Sequence, residues 1–229
     1  MQNQILMTTK FFTNKDDNSL FDKFKGVFTY QNIHHFDALV GYFRASGYFK
    51  LRPFLEKVPE IRILVGIDVD SLTQKYHSKG QLYFQKSEET KEDFLKFIRK
   101  DIHEAEYKKD IEEGILQFVD DIISSKIKVK ASGDNKLHAK IYIFRPEPSN
   151  EHTPASVITG SSNLTDAGMG TGDVKNYEFN VLLQDHSDVQ FATDEFEALW
   201  ANAIDILPAD AAKIKSKTHL NENISPFEL

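Results

Sequence analysis

The sequence contains no cysteine among its 229 residues. A disulfide framework, a thiolate zinc site and a cysteine nucleophile are therefore excluded. It also has no apolar run approaching the ~20 residues that a membrane span needs, and its opening segment has no apolar core of signal-peptide length. We therefore expect a soluble, cytoplasmic protein that has no membrane partner.

The sequence also lacks an excess of positive charge. It has 28 Lys and Arg residues and 35 Asp and Glu residues, and the net charge is −7 at pH 7. Many nucleic-acid-binding domains are basic, so the overall balance counts against such a partner. The local distribution differs, because residues 126–145 contain one acid, Asp134, and six basic residues, which are Lys126, Lys128, Lys130, Lys136, Lys140 and Arg145. These cations either steer a phosphate toward a site or solvate the outer face of a strand, and charge alone favours neither interpretation.

Hydrophobic patterning predicts alternating strands and helices in the first half of the chain. Residues 37–44 are predicted to form a buried strand, residues 47–58 an amphipathic helix with Ser46 as its N-cap, and residues 61–67 a second apolar strand. Strand, helix and strand at this spacing indicate a βαβ unit with a parallel pair. The charged segment 87–124 repeats apolar residues at helical spacing and is predicted to form one long helix or two.

The second half of the chain is predicted to be rich in strands. Their predicted positions are 126–131, 138–144, 155–160 and 177–183, and a helix follows near 188–203. Residues from about 208 onward are polar and show no clear periodicity. The length suits one large domain with an appendage, so we predict a domain over residues 1–207 and a polar tail over residues 208–229.

Reactive chemistry is indicated first by His138 and Lys140. Because they are two residues apart in a predicted strand, their side chains point to the same face. The lysine charge favours a neutral imidazole, which is the form that a nucleophile requires. A lysine on a core-facing position also needs an anion to meet. The pair therefore indicates a nucleophilic histidine beside an anion site, although a single H-x-K also occurs often by chance.

Two further segments carry groups that suit the same site. Ser161 and Asn163 follow Gly160 at the end of an apolar strand and supply neutral donors for phosphoryl oxygens. Glu178 is an acid among apolar neighbours, and an imidazole N–H is a suitable partner for it. Such a hydrogen bond fixes the tautomer that leaves the other ring nitrogen free to attack.

The order His138-x-Lys140, Gly160-Ser161-x-Asn163 and Glu178 resembles the H-x-K…G-S-x-N signature of the phospholipase D superfamily, and is most similar to its single-motif nuclease branch. Residues 37–47 also resemble the opening of the phospholipase D-like domains found at the N-terminus of some bacterial helicases. The resemblance covers roughly residues 30–205. Because residues 224–229 resemble the junction where such helicases continue, we expect an excised domain whose tail links to a helicase domain.

This resemblance implies an α/β fold with a mixed β-sheet flanked by helices, a covalent phosphohistidine intermediate, and neither a metal nor another cofactor. By position, His138 is the implied nucleophile or acid. Lys140 and Asn163 are the implied phosphate ligands, Ser161 assists them, and Glu178 orients His138. The implied activity is that of a metal-independent phosphodiesterase, a nuclease acting on DNA or RNA, with DNA favoured.

The sequence departs from the family pattern in two respects. The family has an aspartate five residues after the lysine, whereas this chain has Arg145 there. The family's complete site also uses two H-x-K motifs, and this chain has one. A complete site then requires a homodimer, in which one His138 attacks phosphorus and the second copy of His138 protonates the leaving oxygen.

Two other functions are compatible with the same residues. A non-catalytic module that binds nucleic acid is suggested by Arg145 and by the acidic net charge. A lipid phosphatidyltransferase or phospholipase shares the motif chemistry, but the sequence shows neither a membrane span nor a basic amphipathic anchor. His34 and His35 are interpreted as surface residues or as part of a loop beside the site.

Overall fold

The computed structural model describes residues 9–15, 18–66, 87–104, 109–132, 137–148, 154–172 and 176–216. These residues form one eight-stranded mixed sheet with the strand order β1-β7-β6-β5-β2-β3-β4-β8. The strands are β1 (Phe11–Thr13), β2 (Ile33–Val40), β3 (Glu60–Gly66), β4 (Lys128–Ser132), β5 (Lys140–Pro146), β6 (Ser156–Gly160), β7 (Phe179–Leu183) and β8 (Ile204–Ile206). The helices are α1 (Leu20–Tyr30), α2 (Ala45–Leu55), α3 (Ser87–Glu104), α4 (Lys109–Ile123), α5 (Asp166–Met169), α6 (His186–Asn202) and α7 (Pro208–Ser216).

The centre of the sheet is parallel and its flanks are antiparallel. β2, β3 and β4 run parallel to one another, and β2 and β3 are joined through α2, as the predicted βαβ unit requires. β5, β6 and β7 extend the sheet in alternating directions from β2. The predicted α/β fold with a mixed sheet flanked by helices is therefore confirmed.

The helices cover the two faces of the sheet unequally. One face packs against α1, α2, α3, α4 and α7, and its core includes the fully buried Phe24, Phe118 and Tyr142. The other face packs against α6, where Phe196 meets Ile143 in a smaller cluster. Alternation along β5 produces this division, because successive side chains of a strand point to opposite faces.

The element bounds differ from the sequence prediction at several places. The strand predicted over 37–44 starts four residues earlier and ends at Val40, because the chain bends after Gly41 to bring Phe43 beside Leu164. The following helix begins at Ala45 with Arg44 as its N-cap, so the prediction of Ser46 as the cap is wrong. The predicted helical segment 87–124 contains two helices, α3 and α4.

The folded region continues past residue 207, into the segment predicted to be a polar tail. Residues 208–216 form α7, whose Ala211 is fully buried in the larger core. The carboxylate of Asp210 accepts a hydrogen bond from the backbone N–H of Leu207 and fixes the start of this helix. Residues 217–229 lie outside the described residues, and their role as a linker stays a prediction.

The sheet has one edge at which many strand ends meet. β2, β3, β4 and β6 end there, and β5 and β7 begin there, because the first four run in one direction and the other two in the opposite direction. Polar groups that follow or precede these ends are brought together whatever their separation along the chain. Among the described residues, no helix is long and apolar enough to cross a membrane.

Candidate active site

The residues predicted to form the site lie together at this edge of the sheet. Lys140 is the first residue of β5, and its neighbour Ile141 pairs with Thr159 near the end of β6. Gly160, the last residue of β6, pairs with Asn180 near the start of β7. Strand pairing therefore brings the H-x-K motif, the G-S-x-N motif and Glu178 together at this edge.

His138 and Lys140 contact each other directly. Lys140 Nζ lies 3.1 Å from His138 Nδ1 and donates a 2.7 Å hydrogen bond to the backbone oxygen of His138. His138 is exposed and precedes β5, so its predicted position inside the strand is wrong by two residues. The exposed imidazole is accessible from solvent, while the lysine holds both its ring and its backbone.

Lys140 is a buried cation, with 6% of its surface exposed. Burial lowers the pKa of Lys140 below its ordinary value, and the negative charge of Glu178 acts in the opposite direction. Among the described residues Lys140 forms no ion pair within 4 Å. A buried ammonium whose positive charge is not balanced by such an ion pair is well suited to bind an anion that enters from solvent.

Asn163 is oriented by the backbone of the loop after β2. Its Oδ1 accepts a 3.0 Å hydrogen bond from the backbone N–H of Tyr42. Because that N–H can only donate, the amide oxygen must face Tyr42 and the NH₂ group must face away from it. The loop thus leaves two N–H donors of Asn163 for another acceptor, such as a phosphoryl oxygen.

Glu178 is buried, lies immediately before β7 and is hydrogen-bonded to two neighbours. Its carboxylate accepts from Ser161 Oγ and, over 3.1 Å, from Asn176 Nδ2. Ser161 Oγ in turn accepts from the backbone N–H of Phe179. The carboxylate therefore orients Ser161 in this structure, and its predicted role in orienting His138 stays a prediction.

The charge of Glu178 also acts on the core beneath the site. Tyr142 is buried below Lys140 on the same face of β5, and its hydroxyl donates a 2.9 Å hydrogen bond to the backbone oxygen of Ser162. Burial, followed by the nearby Glu178 charge, raises the pKa of Tyr142 well above its ordinary value. Tyr142 therefore serves as a neutral support for the loop that carries Ser161 and Asn163.

Two glycines that sequence reasoning missed bring the His138 segment against the sheet. A Cβ atom on Gly66 would lie 2.5 Å from the backbone oxygen of Leu137, and one on Gly41 would lie 2.9 Å from the Cα atom of His138. Both contacts are shorter than any side chain tolerates. The signal was present in the sequence, because each glycine lies within a predicted apolar strand, where close backbone approach is one reason to find glycine.

Apart from Lys140, the described basic residues of the segment 126–145 lie away from this edge of the sheet. Lys126 donates to the backbone oxygens of Glu56 and Val58, and Lys130 pairs with Asp205 at 3.4 Å. Arg145 lies at the other end of β5 from Lys140 and on its opposite face, where it binds Asp37. Of the described members of this run, Lys140 is the one at the site, and Lys136 lies outside the described residues.

A mixed sheet that presents a histidine-lysine pair, an oriented asparagine and a serine-glutamate pair at one edge defines a phospholipase D-like domain. A family model described as "Cardiolipin synthase, PLD-like domain" matches residues 60–200, more than half of the chain. The chain therefore belongs to the phospholipase D-like domain family, as the motifs predicted. No curated protein matches the chain.

Solved structures with a similar fold include three from bacteria. The phosphatidylserine synthase of Haemophilus influenzae Rd KW20 has 13% sequence identity and a TM-score of 0.50, and the match covers 95% of this chain and 42% of that one. The phospholipase D family member Nuc from Salmonella typhimurium has 13% identity and a TM-score of 0.46, with 81% and 89% covered. NucT from Helicobacter pylori has 10% identity and a TM-score of 0.46, with 86% and 97% covered. Similarity at this level concerns the fold.

Proposed function

We propose that the chain is a metal-independent phosphodiesterase that cleaves nucleic acid, with DNA favoured over RNA, through a phosphohistidine intermediate. The single observation that supports this most is the contact of exposed His138 with buried Lys140, 3.1 Å apart, beside an asparagine whose amide N–H groups are turned away from the loop after β2. These groups would supply a nucleophile and the hydrogen-bond donors that hold a phosphate. The nucleic-acid substrate is part of the proposal and is tested directly below.

The proposed reaction has two displacements at phosphorus. In the first, a neutral ring nitrogen of His138 forms a P–N bond while the P–O bond to the leaving oxygen breaks. In the second, water attacks phosphorus and the P–N bond breaks, which returns the histidine, while the proton that the water loses passes to the group that protonated the leaving oxygen. Lys140 and the amide of Asn163 stabilise the charge that develops on the non-bridging oxygens in both steps. Ser161, held by Glu178, supplies a further hydroxyl at the same edge.

The leaving oxygen needs a proton from a general acid. This chain has one H-x-K motif, so a single copy of the site has no second motif histidine to donate that proton. We therefore propose that two chains meet at this edge across a two-fold axis, and that the second copy of His138 is the general acid. The exposure of His138 is compatible with such an approach. The specific activity is then expected to rise with protein concentration in the range where dimers form.

The proposal is tested by incubating the tag-free protein with single-stranded DNA, duplex DNA and RNA in excess chelator. Cleavage is expected to persist in chelator and to be lost in His138→Ala, while His186→Ala, an exposed histidine at the start of α6, retains it. A covalent protein–DNA adduct is expected after denaturation in alkali. Cleavage that disappears with chelator, or that survives His138→Ala, contradicts the proposal.

A second candidate, a non-catalytic module that binds nucleic acid, is favoured by one observation. The carboxylate expected to orient His138 is hydrogen-bonded to Ser161 and Asn176 instead, so the imidazole has no acidic partner among the residues that the structure describes. Salt-sensitive binding without turnover on any nucleic acid supports this candidate. Including phosphatidylglycerol vesicles in the same assay tests the lipid alternative, which hydrolysis or transfer of the phospholipid alone would support.

A further inference from the structure

The start of β2 contains a β-bulge that places two histidines side by side. Ile33 pairs with Pro146 and His35 with Arg145, so His34 is an extra residue with no partner of its own on β5. In a regular strand two successive side chains point to opposite faces, and a bulge redirects one of them. The ring centroids of His34 and His35 are accordingly 5.1 Å apart.

Glu147 approaches the same pair from the residue that follows β5. Its backbone is fixed by Asn32, because the N–H of Glu147 donates to the Asn32 oxygen and the Asn32 side chain donates back to the Glu147 oxygen. Glu147 Oε2 lies 3.0 Å from His34 Nδ1, yet the two groups are not aligned for a hydrogen bond. Two ligands that share a tetrahedral ion at ~2.0–2.1 Å are about 3.3 Å apart, which is close to this separation.

His35 is held in the manner of a metal-binding histidine. Its Nδ1 lies 3.0 Å from Glu60 Oε2, within hydrogen-bond distance. If Nδ1–H donates to this carboxylate, Nε2 is the ring nitrogen with a free lone pair. Histidines that bind metals usually donate their other ring N–H to a carboxylate in this way.

The surrounding charges favour a cation at this place. Asp37, on the same face of the sheet, is bound by Arg145 and Arg62, so these two cations are already neutralised in part. Arg62 is also paired with Glu197 of α6. Glu147 and Glu60 therefore face the two histidines as acids without an arginine or lysine partner among the ion pairs of the described residues.

We propose that His34, His35 and Glu147 form a binding site for one divalent transition-metal ion, with Zn²⁺ as the best match to the ligands. A ring nitrogen of each histidine and a carboxylate oxygen of Glu147 all lie within 4.8 Å of one another. Two imidazoles and one carboxylate form a ligand set that zinc accepts, with a fourth position left for water or Glu60.

The ion's place in the fold separates it from the proposed chemistry. The bulge lies at the beginning of β2, whereas Lys140 pairs with Val40 at the end of that strand. Six residue steps along the strand, from His34 to Val40, separate the two places by about 20 Å. The ion would tie the start of β2 to the residues after β5, and so stabilise the central pair of strands without contact to His138.

The test uses the tag-free full chain after removal of metal with a chelator that is then dialysed away. Zn²⁺ binding is measured by calorimetry and Co²⁺ binding by visible absorption. We expect one ion per chain, a loss of at least about 100-fold in affinity in the double variant His34→Ala/His35→Ala, and about 10-fold or more in Glu147→Gln. Zinc at about 100 times its dissociation constant is expected to raise the unfolding midpoint by roughly 5–10 °C in the wild type alone.

Matched variants decide where an observed ion binds. His186→Ala removes an exposed histidine elsewhere and is expected to bind zinc as the wild type does. Loss of binding in His138→Ala, with binding retained in the double variant, places the ion at the active site and overturns the proposal. Absence of binding below about 100 μM in the wild type also overturns it. If the double variant unfolds in chelator, Glu147→Gln gives the answer, because this side chain is 64% exposed and its removal leaves both histidines in place.

Discussion

Arg145 reaches from β5 to β2 and donates a hydrogen bond to the buried carboxylate of Asp37, with 2.5 Å between Nη2 and Oδ2. Asp37 also accepts from Arg62 through Nε and Nη2, at 2.6 Å and 3.0 Å. The family's aspartate position is therefore occupied by a cation whose counter-charge is on the neighbouring strand. Arg145 points toward α6 and Lys140 toward the opposite face, so Arg145 lies apart from the site that we propose to bind phosphate.

Restoring the family's acid at position 145 is expected to harm this protein. Arg145→Asp would set a second carboxylate against Asp37 inside the sheet, and we expect it to lower the free energy of unfolding by about 3 kcal/mol or more. Arg145→Met leaves Asp37 with Arg62 and is expected to cost about 1–3 kcal/mol. Urea unfolding measures both changes.

Two variants test whether the ion pairs of Asp37 with Arg62 and Arg145 affect stability alone or also the proposed catalytic site. Asp37→Asn leaves Arg62 and Arg145 without their shared acid and is expected to cost about 3–5 kcal/mol. The activity per folded molecule is expected to stay within about two-fold of the wild type in Arg145→Met, because only stability is affected. A large loss of activity in a fully folded Arg145→Met would show instead that this position contributes to the site.

The short motifs around the reactive residues were the most informative part of the sequence. Their spacing placed the histidine and lysine together, and the apolar runs beside them predicted strands. The structure brings these residues together, and their catalytic roles remain predictions. What the sequence did not contain is the identity of long-range partners, such as Ser161 for Glu178 or Asp37 for Arg145, because strand register decides which polar groups meet.

Local signals were also overlooked where they departed from the most frequent form. Helix α1 starts with a capping box in which Ser19 and Asp22 exchange hydrogen bonds, with aspartate in the position more often taken by glutamate or glutamine. Helix α7 was missed because it lies in a polar segment. Among the α7 side chains whose burial the structure describes, Ala211 is the fully buried hydrophobic one, and a single alanine gives no periodic pattern.

His138 is expected to be dispensable for folding and essential for activity. Its side chain is exposed, and the hydrogen bond from Lys140 to its backbone oxygen survives truncation. His138→Ala should therefore change the free energy of unfolding by less than about 0.5 kcal/mol. The rate of phosphodiester cleavage should fall by about 10⁴-fold, as is typical when a nucleophile is removed. His186→Ala is the control for histidine loss at an exposed position, and equal rates in the two variants would contradict the assignment.

Lys140 gives a prediction about pH. Burial depresses the pKa of Lys140 in the folded state, so the unfolded chain holds this proton more tightly. The protonated lysine then weakens the fold at neutral pH, and this effect is relieved as the pH rises through the folded-state pKa toward the unfolded value near 10.5. Lys140→Met lacks the effect, so the stability of the wild type relative to this variant should increase between pH 7 and pH 10.

Urea unfolding of both proteins at the two pH values measures this change. Lys25→Met, at an exposed position of α1, is the matched control and should stay within about 0.5 kcal/mol of the wild type at both. A relative stability that falls as the pH rises would show that the folded state favours the charged form of Lys140. Activity provides an independent readout, because loss of this phosphate ligand should slow cleavage by about 10²–10³-fold.

The two glycines behind His138 are expected to control its position. In Gly66→Ala the new methyl group would lie 2.5 Å from the Leu137 oxygen and 3.0 Å from the Gly41 oxygen, both backbone atoms. The segment that carries His138 must then move away from the end of β3. We expect a loss of about 1–3 kcal/mol in the free energy of unfolding. A displacement near 1 Å of a reacting group can also lower the rate by about 10²-fold.

Gly26→Ala is the matched control for this prediction, since a Cβ at that position in α1 meets no atom within 4 Å. Alanine is a better helix former than glycine, so this variant should gain about 0.5–1 kcal/mol and keep full activity. Unfolding curves and cleavage rates measured below the unfolding transition separate the two effects of Gly66→Ala. If its rate per folded molecule equals that of Gly26→Ala, the close packing of the His138 segment serves stability alone, because the nucleophile would have kept its place despite the added methyl group.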